Sequence, residues 1–222
     1  MTSAEMKTLL GLRMEDPSES NFSAATKYSA LNVAQRTVAN FLDESFLTEL
    51  ETRANFVLTQ SQKTAGFYGF GSSTIQPIRN RVKAVQVNYG NGFLYCRLIP
   101  FDDVKNMENM YLAGDKESPI AYVFGNKLYV RPDFADITGV AVYYLNSPAT
   151  IADAQNCELN ESLHDIVVDL AESELWRIDN QTNRSKSARD SSMDMIKMLN
   201  GRIAVEGPDD LGEINTKVIS SI

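Results

Sequence analysis

The sequence predicts an α+β fold: mainly a helical bundle from both chain ends, with an inserted antiparallel β-rich domain and an extended C-terminal arm. Three observations predict it. Apolar residues recur at spacings of three and four between Tyr28 and Leu42 and again between Leu163 and Leu199, the mark of helices with one apolar face. Period-two alternation and turn dipeptides fill the stretch between Val82 and Leu145, the mark of strands. From Ala204 onward the chain is polar and carries glycine and proline, which predicts a tail that need not fold alone. The expected divisions are 1–50 for the N-terminal helices, 51–150 for the β-rich domain, 151–203 for a C-terminal helical hairpin and 204–222 for the arm.

Element by element, Ser3 precedes a short apolar stripe that ends at Gly11 and predicts a capped helix. Glu15 to Ser20 reads as a polar linker around Pro17. Ser23 precedes Tyr28, Leu31, Gln35, Val38 and Leu42, which line one side of a helix of about five turns. Phe56 to Gln60 reads as a strand and Gly66 to Ser73 as a flexible loop. Phe67, Tyr68 and Phe70 in that loop either form a contact patch or tuck onto the sheet. Val82–Asn88 and Phe93–Ile99 pair through Asn88–Gly92, whose residues tolerate positive φ. A helix from Phe101 to Leu112 follows, with Asp102 or Asp103 at its positive end. Gly125-Asn126 between two alternating runs is a two-residue hairpin signal. Gly139–Leu145 is a further strand. Two helices then form an antiparallel hairpin through Asn180–Asn183, the second ending at Gly201.

The chain has 222 residues, 43% hydrophobic and 23% charged, the balance of a folded domain and not of a disordered one. No apolar run is long enough to cross a membrane, and Met1–Asp16 lacks the pattern of a secretory signal. With a single histidine, any Ser-His-Asp, Cys-His or multi-histidine metal site must run through His164. His164 has Val167 and Val168, not a carboxylate, at its helical neighbours, so it reads as a packed or surface residue. Cys96 and Cys157 read as free thiols. The glycines of Gly66–Gly71 match neither the dinucleotide nor the phosphate-loop pattern. The expectation is therefore a protein that is not an enzyme and uses no cofactor or metal.

Charge is the informative property. The formal net charge is −8, yet Arg53, Lys63, Arg79, Arg81, Lys83 and Arg97 are the only charged residues from Thr52 to Pro100, a stretch of +6. Glu161, Asp165, Asp169 and Glu172 recur at helical spacing and form an acidic stripe. The stripe reads as a solvated face or as a docking surface for a basic partner or a neighbouring subunit. A carboxylate metal site would need the Glu-x-x-His pattern, which it lacks. The basic stretch fits a solvated strand face, nucleic-acid backbone contact through Arg79, Arg81, Lys83 and Arg97, or head-to-tail pairing of copies, basic sheet against acidic helix.

The segment Ile120–Pro132, followed by Val140–Pro148 and then the alanine-bearing helix that begins Leu163–Ala171, resembles the head-to-tail adaptor (connector ring, head-completion) proteins of tailed bacteriophages. The helix from Ser23 to Leu42 fits the one that opens such adaptors. The resemblance implies a structural virion protein at the portal vertex, made in the host cytoplasm, with no enzymatic activity and no membrane partner. It implies a homo-oligomeric ring, usually of twelve copies, docked beneath the portal protein. Such a ring links the portal to tail or nozzle proteins, and genomic DNA passes its channel without sequence-specific contact. The arm would then end on Leu211, Ile214, Val218, Ile219 and Ile222 as apolar anchors. The Gly66–Gly71 loop departs from the family pattern.

Overall fold

The computed structural model describes residues 1–70, 75–108 and 114–205. Leu211, Ile214, Val218, Ile219 and Ile222 lie outside the described residues. The chain divides into two compact units, one formed by Met1–Glu49 with Pro148–Ile222 and the other by Leu50–Ser147.

In the first unit, α1 (Ser3–Arg13) is capped by Thr2 and not by Ser3. The Glu5 amide donates to Thr2 Oγ1 at 3.2 Å and the Thr2 amide to Glu5 Oε2 at 2.7 Å, a reciprocal capping box. Ser23 caps α2 (Ala24–Phe41), which buries Leu31, Ala34 and Val38. Gln35, read as part of the apolar stripe, serves a polar purpose: its Nε2 donates to the Ala149 carbonyl at 2.7 Å. Asn32 donates to Ile151 O at 3.0 Å and accepts from Ile151 N at 2.7 Å. The polar positions of α2 thus satisfy the backbone of the segment leading to α4 (His164–Ile178), as buried amides require. Helix α5 (Thr182–Val205) runs past Gly201 instead of ending there.

The mainly helical bundle expected from both chain ends is not the architecture. The fold is α+β, with two four-stranded sheets and five α-helices among the described residues. A bundle needs an apolar stripe on every helix. Helix α5 buries only Ser192 and Ile196 in its stretch from Thr182 to Gly201, so it lies on α4 without supplying a bundle core.

The second unit holds both sheets. Strand β1 (Glu51–Phe56) starts and ends earlier than its pattern suggested. Thr59 and Gln62 form a capping box that turns the next residues into α3 (Gln60–Ala65), closed by Gly66 at φ 75°. There follow β2 (Tyr68–Gly69), β3 (Pro77–Asn88), β4 (Phe93–Tyr95), β5 (Arg97–Leu98), β6 (Ile120–Phe124), β7 (Lys127–Arg131) and β8 (Gly139–Asn146). Of the helix expected from Phe101 to Leu112, Phe101–Glu108 is 3₁₀ helix, and 109–112 lie outside the described residues.

The first sheet has the order β1-β8-β3-β4 and is antiparallel throughout. The second has the order β2-β7-β6-β5, with β5 and β6 parallel. Val85, Val87, Val140, Val142 and Tyr144 from the first sheet meet Tyr68, Ala121, Leu128 and Val130 from the second in one buried cluster. The two sheets therefore face each other across a common core. Tyr68 and Phe70 are buried in that cluster, so these aromatics of the glycine loop tuck onto the sheet.

Candidate functional site

Of the predicted basic contacts, Arg97 lies on β5, and Arg79, Arg81 and Lys83 lie on β3. Its ladder with β8 is irregular between Pro77 and Ala84. Arg79 and Asn80 both adopt left-handed backbone, at φ 49° and 57°. Non-glycine residues in that region carry a cost on the order of 1 kcal/mol each, and the bulge they make is a common device for re-aiming side chains. It leaves Arg79 and Asn80 exposed and Arg81 half-buried. Lys83 is in an ion pair with Glu51 on β1. The Arg53 guanidinium sits over the Tyr143 ring, 5.2 Å from its centroid. Part of the +6 stretch is thus engaged within its own sheet.

The acidic stripe of α4 is engaged as well. Arg13, at the end of α1, forms an ion pair with Asp169 and stands 3.8 Å from Glu172. Glu172 Oε1 accepts from the Trp176 indole at 2.9 Å, and the Arg184 guanidinium lies 4.7 Å from the centroid of that ring. These five side chains line a cleft of about 470 Å³. Glu161 accepts from the Met1 amino group at 3.3 Å. Asp165 is exposed and makes no ion pair among the described residues. The stripe is therefore neutralised at Glu161 and Asp169, and the surface it offers a basic partner centres on Asp165.

The remaining candidates, His164, Cys96 and Cys157, are all buried. His164 is buried, with Nε2 2.8 Å from the Leu159 carbonyl; Nδ1 has no hydrogen-bond partner among the described residues. Burial pushes the Cys96 thiol up to about 12 and the Cys157 thiol up to about 11, which keeps both protonated and poorly nucleophilic. Among the described residues no group of three His, Cys, Asp or Glu could hold a metal ion.

Two features escaped the sequence reading. One is the pair Asp16–Lys27, whose side chains are 0% and 1% exposed and 3.2 Å apart. Asp16 Oδ1 accepts from the Ser20 amide at 2.8 Å, its hydroxyl at 3.0 Å and the Asn21 amide at 3.1 Å; Oδ2 accepts from the Phe22 amide at 2.9 Å. Lys27 Nζ donates to the Asp16 carbonyl at 2.6 Å. Burial alone would raise the Asp16 carboxyl, but these bonds outweigh it and hold the group well below the usual carboxylate range. The polar linker is in fact a loop wound around its own carboxylate. Gly11 leaves room for it: a Cβ there would lie 3.1 Å from Lys27 Nζ.

The other missed feature is an aromatic row on the second sheet, made by Tyr122 and Phe124 of β6, Tyr129 of β7, and Phe101 and Phe67 from flanking segments. The signal was present in the hairpin: a two-residue turn at Gly125-Asn126 pairs Phe124 with Lys127 and Tyr122 with Tyr129. No protein-family model matches the chain, and no match was found among curated proteins.

Proposed function

We propose that this chain is the ring-forming subunit of a head-to-tail adaptor, docking under the portal of a tailed phage and joining it to the tail around a DNA channel. The observation that carries the reading is the segregation of charge. The +6 stretch from Thr52 to Pro100 lies within the unit Leu50–Ser147, and the acidic stripe of α4 belongs to the other unit. Opposite charges on separate units of one chain suit heterologous contact between copies, which closes into a ring when the rotation permits. The resemblance of Ile120–Pro132, Val140–Pro148 and Leu163–Ala171 to such adaptors supports the same reading.

Native mass spectrometry of the full chain with its cognate portal protein tests it. A defined complex with many copies of this chain is expected, and Arg79→Glu with Arg81→Glu is expected to weaken copy-to-copy assembly. Monomer alone, with and without portal, would overturn the proposal. Deletion of Gly207–Ile222 is expected to reduce portal docking; undiminished docking removes the arm and its anchors from the mechanism.

A further inference from the structure

The face of the second sheet turned away from the main core buries Ile120 and Tyr122 in a small cluster with Ile99, Val104 and Tyr129, and its rim carries exposed rings and cations. In the β6–β7 ladder Ile120 stands opposite Arg131, Tyr122 opposite Tyr129 and Phe124 opposite Lys127. Val123, Leu128 and Val130 alternate with these residues and pack into the core, so the first set points the other way. Arg97 of β5 is the partner of Ile120 and adds a third cation to this set of register positions. None of β2, β5, β6 or β7 contains Asp or Glu.

The rings form a connected surface. Tyr122 and Tyr129 stack at 5.0 Å and 5°, and Phe67 lies 5.8 Å from Tyr129. Phe101 stacks on Phe124 at 3.9 Å and 16°. Lys127 Nζ stands 4.0 Å from the Phe67 centroid. Each ring of the Phe101–Phe124 pair uses one face on its partner, and the two residues remain 43% and 50% exposed. Large aromatic residues left half in water next to cations, on an otherwise well-packed sheet, call for a ligand with flat apolar groups and negative charge.

We propose that this face binds single-stranded nucleic acid. Bases stack on the exposed rings of Phe101 and Phe124, and phosphates lie along Lys127 and Arg131. Stacking on aromatic side chains accepts any base, and cations track the backbone, so binding is salt-dependent and tolerant of sequence. A duplex hides its base faces and meets only the cations. Asp102 and Asp103 sit beside Phe101 in the 3₁₀ segment, which places the phosphates on the β7 side of the rings. A neutral glycan could use the same rings but has no use for Lys127 and Arg131. The activity is separate from ring assembly, which sedimentation of the same samples monitors.

The test is fluorescence anisotropy of the full chain with labelled dT20, rU20 and a duplex of the same length, at about 50 and 300 mM NaCl. Binding of either single strand, weaker at the higher salt and weaker for duplex, is expected. Phe124→Ala is expected to reduce affinity about tenfold or more, and Phe124→Trp to retain it, which separates stacking from folding. Lys127→Ala with Arg131→Ala flattens the salt dependence, whereas Arg36→Ala, an exposed cation on α2, leaves binding unchanged. Absence of binding at low salt, equal affinity for duplex, or loss in Arg79→Ala with Arg81→Ala but not in Lys127→Ala with Arg131→Ala would overturn the proposal. Salt-independent binding of a neutral oligosaccharide such as maltoheptaose, in place of dT20 and rU20, would overturn it equally.

Discussion

The helical unit and the second sheet of the other unit treat their charges differently. In the helical unit Asp16 and Lys27 are buried against each other, Arg13 is held by Asp169, and Arg184 lies over Trp176. In the sheet unit Lys127 and Arg131 flank aromatic rings that remain partly open to water. The first arrangement stabilises a fold and, along the α4 stripe, leaves Asp165 exposed for a partner. The second leaves Phe101 and Phe124 about half in water beside cations, a surface with capacity to bind. A count of charged residues would have ranked the two the other way, because the acidic stripe is the more regular pattern in the sequence.

That contrast can be broken at its strongest point first. Lys27→Ala leaves the Asp16 carboxylate buried without its cation and is expected to lower stability by about 3–5 kcal/mol in urea titration; a change under about 1 kcal/mol would show that the loop's amides suffice for Asp16. Leu128→Ala empties part of the core between the sheets and is expected to lower stability by about 2–4 kcal/mol. Amide exchange should then show lost protection in β6 and β7 with α4 unaltered, if the units open separately; equal loss in both would mean that they unfold as one.

Acid sharpens the comparison further. The folded Asp16 carboxyl is held well below its unfolded value, so its contribution is present above about pH 4, where the unfolded chain is also ionised. It is lost progressively as the pH falls below that. Asp16→Asn is expected to be the less stable protein at neutral pH and to lose less on acidification; parallel curves for the two proteins would contradict the assignment. The smallest effect belongs to the open face. Phe124→Ala should lower folding stability by about 1 kcal/mol, because half of the ring is already in water, and a cost above about 2 kcal/mol would make Phe124 a structural residue.

Much of the local structure was legible. Ser23 caps α2, and Gly125-Asn126 turns the β6–β7 hairpin where its dipeptide signal stands. The errors fall where a short-range pattern was ambiguous. Phe56–Gln60 reads as apolar strand, yet Thr59 and Gln62 close a capping box that begins a helix. Asp16 reads as one more polar residue of a linker, because nothing in a linear pattern says that five donors converge on its two oxygens. Asp165, Asp169 and Glu172 stand on α4 as read, whereas Glu161 falls in the 3₁₀ turn before it, and the cation that meets Asp169 comes from Arg13, more than 150 residues away.

Periodicity and caps act within a few residues, so the sequence by itself determined the long helices α2 and α4, the β6–β7 hairpin and its turn, and that basic and acidic residues separate along the chain. It also determined that no histidine-based site has partners close by in the chain. Tertiary structure alone decided that the helices do not make a bundle, since α5 lacks a buried stripe, and that the main core lies between two sheets. It also decided which charges are neutralised and which face water. Those outcomes depend on contacts between residues distant in the chain, and a one-dimensional pattern carries the propensity of each partner but not the encounter.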